Sequence, residues 1–179
     1  MAAPFTIREA SDRDVPALEE VRAATWVSTY GAFISREDIL DETFGWGARW
    51  YQQFRPEIGE FALIAEQAGK AIGMLVGGPT RDGFTEFPGE IHVLYVLESH
   101  QGQGVGRALV CAAYDRLAAW GLAPVYVFAM KENAKARAFY EVSGAMPIGV
   151  EKPFYLGRTK LTDYGYGWRR RPFSSTSEV

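Results

Sequence analysis

Cysteine and histidine are both scarce in this chain: one Cys, Cys111, and two His, His92 and His100. A single thiol excludes a disulfide framework and a zinc site built from several thiolates. The two histidines form no metal-spaced cluster with acids, so no metal site is expected. Long hydrophobic runs are missing too. None approaches the ~18 consecutive apolar residues that a membrane-spanning helix needs. The residues Met1 to Phe5 lack a basic segment followed by an apolar stretch, so no signal peptide is expected and the cytoplasm is the expected location. An excess of positive charge is also lacking. The net charge of −3 argues against a general nucleic-acid binder, which needs a cationic face for phosphates.

What is present is a core. Of 179 residues, 47% are hydrophobic, enough for one domain at about 100–200 residues per domain. With no repeat, low-complexity tract or linker, residues 1–168 read as a single domain and the Arg-rich, then Ser-rich stretch 169–179 as a flexible tail. Residues 1–60 hold 11 acidic and 6 basic side chains, the remainder 11 and 13. That imbalance suits a cationic substrate on one side and an anionic cofactor on the other, and equally a solvated surface of uneven charge.

Phe5–Arg8 reads as a strand and Asp12–Trp26 as a helix with Val15, Leu18, Val21 and Arg22 at helical spacing. Ser35 followed by Glu37 and Asp38 starts a second helix. Two apolar runs, 61–66 and 70–76, flank Gln67-Ala68-Gly69 as a hairpin. The Gly- and Pro-rich stretch 77–89 is a loop. Then come a β-branched strand at 90–97, a glycine-rich turn at 101–106, a helix at 107–120, a strand at 124–130, a helix at 133–142 ending at Gly144, and a terminal strand pair at 146–156 and 159–168.

The turn Gln101-Gly102-Gln103-Gly104-Val105-Gly106-Arg107 lies between a strand and a helix. Glycines there let backbone approach a ligand and point N–H groups into one cavity, and a helix start favours a phosphate. They also serve simply to tighten a connection. A P-loop fails because Gly106 is followed by Arg107 and Ala108 rather than Lys and Ser or Thr. A dinucleotide fingerprint fails because the spacing is G-x-G-x-G and the turn sits past mid-chain.

Gln-x-x-Gly-x-Gly at Gln101, Gly104 and Gly106, after the strand Ile91–Val96, resembles the acetyl-coenzyme A motif of the GNAT superfamily of N-acetyltransferases. Asn133, Ala136, Tyr140 and Gly144 downstream are similar to that family's second motif. The resemblance covers residues 90–149 most strongly. It implies an α+β, three-layer α/β/α fold of the acyl-CoA N-acyltransferase type: a mixed, mostly antiparallel sheet of about 6–7 strands with helices on both faces, splayed around the strand at 90–97.

It further implies that acetyl-CoA is the cosubstrate and an amine the acceptor, with no nucleic-acid or membrane partner and a homodimer as a family habit. The pantetheine arm would pair with the backbone of Leu94, Tyr95 and Val96. The pyrophosphate would lie on the N–H groups of Gly102, Gln103, Gly104, Val105, Gly106 and Arg107, with Asn133 contacting the arm or capping its helix. Glu90, eleven residues before Gln101, matches a strand glutamate that serves as base. Strand alternation puts Glu90, His92 and Leu94 on one face, making His92 the adjacent candidate. Glu90 as a solvated strand end and His92 as a hydrogen-bonded pocket wall are the rival readings.

Tyr140 matches the tyrosine that protonates the departing thiolate, and the oxyanion donor is expected near Tyr95 or Val96, where the family's strand carries a bulge. Trp26, Tyr30, Phe33, Trp46 and Trp50 fall in the segment that lines the acceptor side. Trp26 and Tyr30, with Glu90 and His92, are the substrate-contact candidates. Cys111 reads as packing. The reading is transfer of an acetyl group to a primary amine, of a small molecule or a peptide or protein, directly in a ternary complex. The rival function is a non-catalytic acyl-CoA-binding or sensing domain.

Overall fold

The apolar runs become seven strands and the periodic segments become helices in a computed structural model that describes residues 4–45, 47, 54–156 and 159–174. The strands are β1 (Thr6–Glu9), β2 (Phe61–Gln67), β3 (Lys70–Pro79), β4 (Gly89–Val96), β5 (Val125–Met130), β6 (Met146–Leu156) and β7 (Thr159–Trp168). The helices are α1 (Val15–Tyr30), α2 (Arg36–Thr43), α3 (Val105–Ala119) and α4 (Ala134–Val142). The acyl-CoA N-acyltransferase architecture expected from the sequence is what forms. One seven-stranded sheet runs β1-β2-β3-β4-β5-β7-β6, antiparallel throughout except for the β4–β5 pair. Trp46 and Trp50 lie outside the described residues.

Helices cover both faces because the strands present apolar side chains on both. On one face Leu109, Ala113 and Leu117 of α3 pack on Leu63, Leu75, Ile91, Val125 and Val127. On the other, Val15, Leu18 and Val21 of α1 pack on Ala62, Ile64, Met74 and Val76. Leu18, Leu109 and Leu117 are fully buried, each worth about 2 kcal/mol relative to exposure. Ser35 caps α2 as its sequence predicts, its hydroxyl oxygen accepting the Asp38 N–H at 3.0 Å.

Two features of β4 position the site. First, it pairs with β5 only from Gly89 to Ile91, opposite Val125 to Val127, and the strands then part. The approach needs Gly89, where a Cβ would collide with the Leu122 carbonyl oxygen. Beyond Ile91, β4 keeps a strand partner only in β3. Second, Val76 faces Val93 while Gly77 faces Ile91, so His92 is the extra residue of a β-bulge. The bulge breaks the alternation read from the sequence. Glu90 and His92 share the α1 face, whereas Leu94 turns to the α3 face. The irregularity also falls at His92 and not at Tyr95 or Val96, because β4 must bend there to leave β5.

The segment after β7, expected to hang loose, folds over α3 and α4 as far as Ser174. Arg171 makes a two-pronged pair with Asp115, and the Phe173 N–H donates to the Ser143 carbonyl at 2.9 Å.

Candidate functional site

The parting of β4 and β5 opens a cavity of about 830 Å3. Its walls are Leu94–Val96 of β4, the glycine turn with Arg107, Asn133 to Tyr140 of α4, and Thr25 and Ser28–Tyr30 of α1. The glycine turn is built for the conformation it adopts. Gly102 (φ 74°) and Gly104 (φ 87°) are left-handed, with open space where a Cβ would stand. Gly104 is the N-cap of the 15-residue α3 and offers no side chain to cap it, so the first-turn N–H groups are free for an anion. Gln101 ties the turn to the strand: its Nε2 donates to the Val96 carbonyl at 3.0 Å, and its Oε1 accepts from Lys135 at 3.1 Å. Arg107 and Lys135 add positive charge to the wall.

Two of the expected residues, Val105 and Gln103, can contribute by backbone alone. The Val105 side chain is buried in the core, and Gln103 folds back onto the Ser99 carbonyl at 2.8 Å. Asn133 caps α4, its Oδ1 accepting the Ala136 N–H at 3.0 Å, and also faces the cavity. The Tyr140 phenol is buried at the cavity wall, and burial, with Tyr95 nearby, pushes its pKa well up, so it holds its proton. Trp26 is buried behind the strand and donates to the Tyr95 hydroxyl at 3.0 Å. Tyr30, stacked edge-on against it, reaches the cavity.

The acceptor-side candidates sit at the other end of β4. Glu90 is 1% exposed, and its carboxylate is already bound. The Arg81 side chain holds Oε1, while the Arg81 backbone N–H and the Tyr126 hydroxyl donate to Oε2 at 2.8 and 2.7 Å. Burial pushes this carboxyl up, but the Arg81 hydrogen bonds and charge outweigh it and hold the pKa below the ordinary value. That makes Glu90 a poor base, contrary to its first place in the sequence reading.

His92 is better suited. Its ring stands between two carboxylates, 3.9 Å from Glu90 and 4.0 Å from Glu60. Burial, then the Arg81 charge, lower its pKa against the pull of both acids, so the imidazole is neutral at pH 7. Glu60, Arg81 and Tyr126 carry no motif and were missed. So was Asp163, which pairs across the sheet with Met130 and Lys152. Among the described residues its carboxylate has no hydrogen bond or ion pair. Burial, and Glu132 after it, raise its pKa despite Lys152.

The residues present fit an acyl-CoA: a free strand edge for the amides of its arm, a glycine cradle and two cations for its phosphates, and a protonated phenol within the same cavity. Among the described residues no group of three His, Cys, Asp or Glu is placed to hold a metal, and no helix is long and apolar enough to cross a membrane.

The comparisons with known proteins agree. The model of the Acetyltransferase (GNAT) family matches residues 26–145. The chain is similar to the uncharacterized N-acetyltransferase YuaI of Bacillus subtilis, 26% identical over 164 residues that cover 91% of this chain and 92% of that protein. It is 33% identical over 137 residues to the mycothiol acetyltransferase of Amycolatopsis mediterranei, covering 74% of this chain and 42% of that protein. Among solved structures it resembles the PaiA N-acetyltransferase of Thermoplasma acidophilum in complex with coenzyme A. That likeness has a TM-score of 0.68 at 18% identity, covering 89% of this chain and 98% of that one. With the family match spanning well over half the sequence, and the cavity, glycine turn and splayed strands where such an enzyme needs them, the chain belongs to the GNAT family and is an N-acetyltransferase that draws on an acyl-CoA.

Proposed function

We propose that the enzyme transfers an acetyl group from acetyl-CoA directly to a primary amine while both are bound. The observation that carries this is the convergence in one cavity of the glycine cradle, the unpaired edge of β4 and the Tyr140 phenol. When bound, acetyl-CoA supplies an activated thioester. The N–H groups of the turn hold its phosphates, and the free backbone of Leu94–Val96 orients its arm. A backbone N–H near Tyr95 or Val96 faces the thioester oxygen and stabilises charge there.

An amine acceptor with a pKa of about 10.4 is protonated at neutral pH and must lose a proton to react. His92, neutral and buried between Glu60 and Glu90, takes it. Glu90 acts at one remove, keeping negative charge 3.9 Å from the imidazole while it fixes Arg81 and Tyr126. Tyr140 gives its phenolic proton to the departing sulfur and recovers one from solvent. Burial keeps the phenol protonated until it is needed, and a thiolate expelled into the same low-dielectric cavity is a stronger base there than in water.

Asp163 supports a cationic acceptor. A half-buried carboxylate with no hydrogen bond or ion pair among the described residues, on the face shared with Met130 and Tyr30, destabilises the empty enzyme, and a positively charged group on the acceptor relieves it. Calorimetric titration with acetyl-CoA, with ATP and NAD as controls, followed by a thiol-release screen over mono- and diamines, tests the proposal. Micromolar binding of acetyl-CoA alone and amine-dependent release of coenzyme A are expected. Binding without release on any amine would leave the sensing-domain reading in its place.

A further inference from the structure

The segment that follows β7 lies beyond residues 26–145, the span matching the family, yet it reaches the cavity. Phe173 forms part of the cavity wall next to Arg107 and Phe139. Its ring lies 4.9 Å from the Arg107 guanidinium and 5.8 Å from the Phe139 ring. Among the described residues Arg107 has no carboxylate partner and rests on this ring instead.

The segment is tied to α3 and the end of α4 at several points. Arg171 grips Asp115 at 2.7 and 2.8 Å, the Cys111 thiol points at the Pro172 carbonyl, and the Phe173 N–H bonds to the Ser143 carbonyl. Ser143 in turn is buried, bonded to the Tyr140 carbonyl at 2.6 Å and to the Trp168 indole at 2.8 Å. Against these anchors Phe173 adopts φ 57°, a left-handed conformation that a bulky side chain rarely takes and that persists only where its surroundings impose it. The anchors impose a strained backbone, and what the strain achieves is an aromatic ring at the glycine-turn end of the cavity.

We propose that Phe173 is the platform on which the adenine ring of coenzyme A stacks, on the face not covered by Arg107, which the ring holds for a phosphate. Along the bound molecule the arm follows β4 and the pyrophosphate follows the turn, so the nucleotide comes next, against a wall that is aromatic and cationic. An aromatic side chain takes the flat face of a base without hydrogen-bond readout. This inference rests on the acyl-CoA reading of the cavity.

The test is calorimetric titration of the wild-type enzyme, Phe173→Leu and Phe173→Trp with coenzyme A and with 4′-phosphopantetheine, which lacks the nucleotide. Leucine keeps an apolar plug and removes only the aromatic face. We expect Phe173→Leu to weaken coenzyme A binding about tenfold, with phosphopantetheine affinity unchanged and Phe173→Trp close to wild type. Equal loss for both ligands, or wild-type coenzyme A affinity in Phe173→Leu, would overturn the role of Phe173 and leave the cavity assignment standing. Failure of the wild-type enzyme to bind either ligand would overturn both.

Discussion

The two ends of β4 serve the site in opposite ways. At Leu94–Val96 the strand has lost its partner on one side, and its backbone is what it offers. At Gly89–Ile91 the backbone is fully paired, and the side chains of Glu90 and, just past it, His92 are what that end offers to the acceptor under the proposed function. The coenzyme end is therefore made of main-chain N–H groups with little room for chemical variation. The proposed acceptor end is a buried polar cluster, the Arg81–Glu90 ion pair with Glu60, His92 and Tyr126 around it, drawn from four separate stretches of chain. The lesson is physical: on the proposed function, one end recognises a ligand shared with the family by geometry, and the other sets its chemistry by charge.

The sharpest way to break this contrast is to remove the titrating side chain. His92→Gln is expected to lower kcat/KM by about 10²–10³-fold while leaving acetyl-CoA binding in place. Because burial lowers the His92 pKa from 6.5, the wild-type rate should be flat near pH 7 and fall only on the acid side of pH 6.5, as the imidazole gains a proton. A pH–rate profile checks this. An unchanged acid limb in His92→Gln would assign the base elsewhere.

Next in size is Tyr140→Phe, expected to lower kcat about 100-fold. The ring keeps its packing against Phe139, Tyr166 and Trp168, so stability and acetyl-CoA affinity should hold. A parallel drop in affinity would mean that the phenol binds rather than protonates.

A smaller effect separates the acceptor end further. Asp163→Asn should raise KM for a diamine about tenfold relative to a monoamine of matched length, with kcat little changed. Thermal unfolding gives an independent sign. An acid whose pKa is raised in the folded state is destabilising once ionised, so at pH 7 the variant should melt higher than wild type and at pH 3 should show no such gain. A lower melting temperature at pH 7 would mean that the carboxylate has a stabilising partner.

The same contrast explains what the sequence made legible. The strand–turn–helix at 90–119 is contiguous, so Gln101, Gly104 and Gly106 could be read as one device, and Asn133 and Tyr140 fall on the next helix at a fixed spacing. The strand pairs at 146–156 and 159–168 were legible from alternation alone. The acceptor end was not, because Glu60, Arg81 and Asp163 reach it through a hairpin, a Gly- and Pro-rich loop and an edge strand pair, where spacing in sequence says nothing about spacing in space. Glu90 was legible as a residue, but the partners that argue against it as the base, Arg81 and Tyr126, are brought to it only by the folded sheet. The bulge at His92 likewise arises from a register between two strands, not from either strand by itself.

The smallest expected effects test whether the coenzyme end is truly a matter of backbone. Gly104 and Gly106 stand two residues apart in the same motif but for different reasons. Gly104 sits at φ 87° with nothing within 4 Å of a Cβ, so Gly104→Ala meets no obstacle except its own backbone strain, about 1–2 kcal/mol. Gly106 is inside α3, where a Cβ would rest on the Phe139 ring at 3.4 Å, an ordinary contact. There alanine is the better helix former by about 0.5–1 kcal/mol. Thermal unfolding should therefore move in opposite directions, down for Gly104→Ala and level or up for Gly106→Ala, while coenzyme A affinity falls in both. In Gly104→Ala the N–H cradle is distorted; in Gly106→Ala the added methyl group takes up space at the cavity wall beside Phe139. Shifts of the same sign would show that the turn is shaped by packing against α4, and the division of β4 into a backbone end and a side-chain end would lose its simplest support.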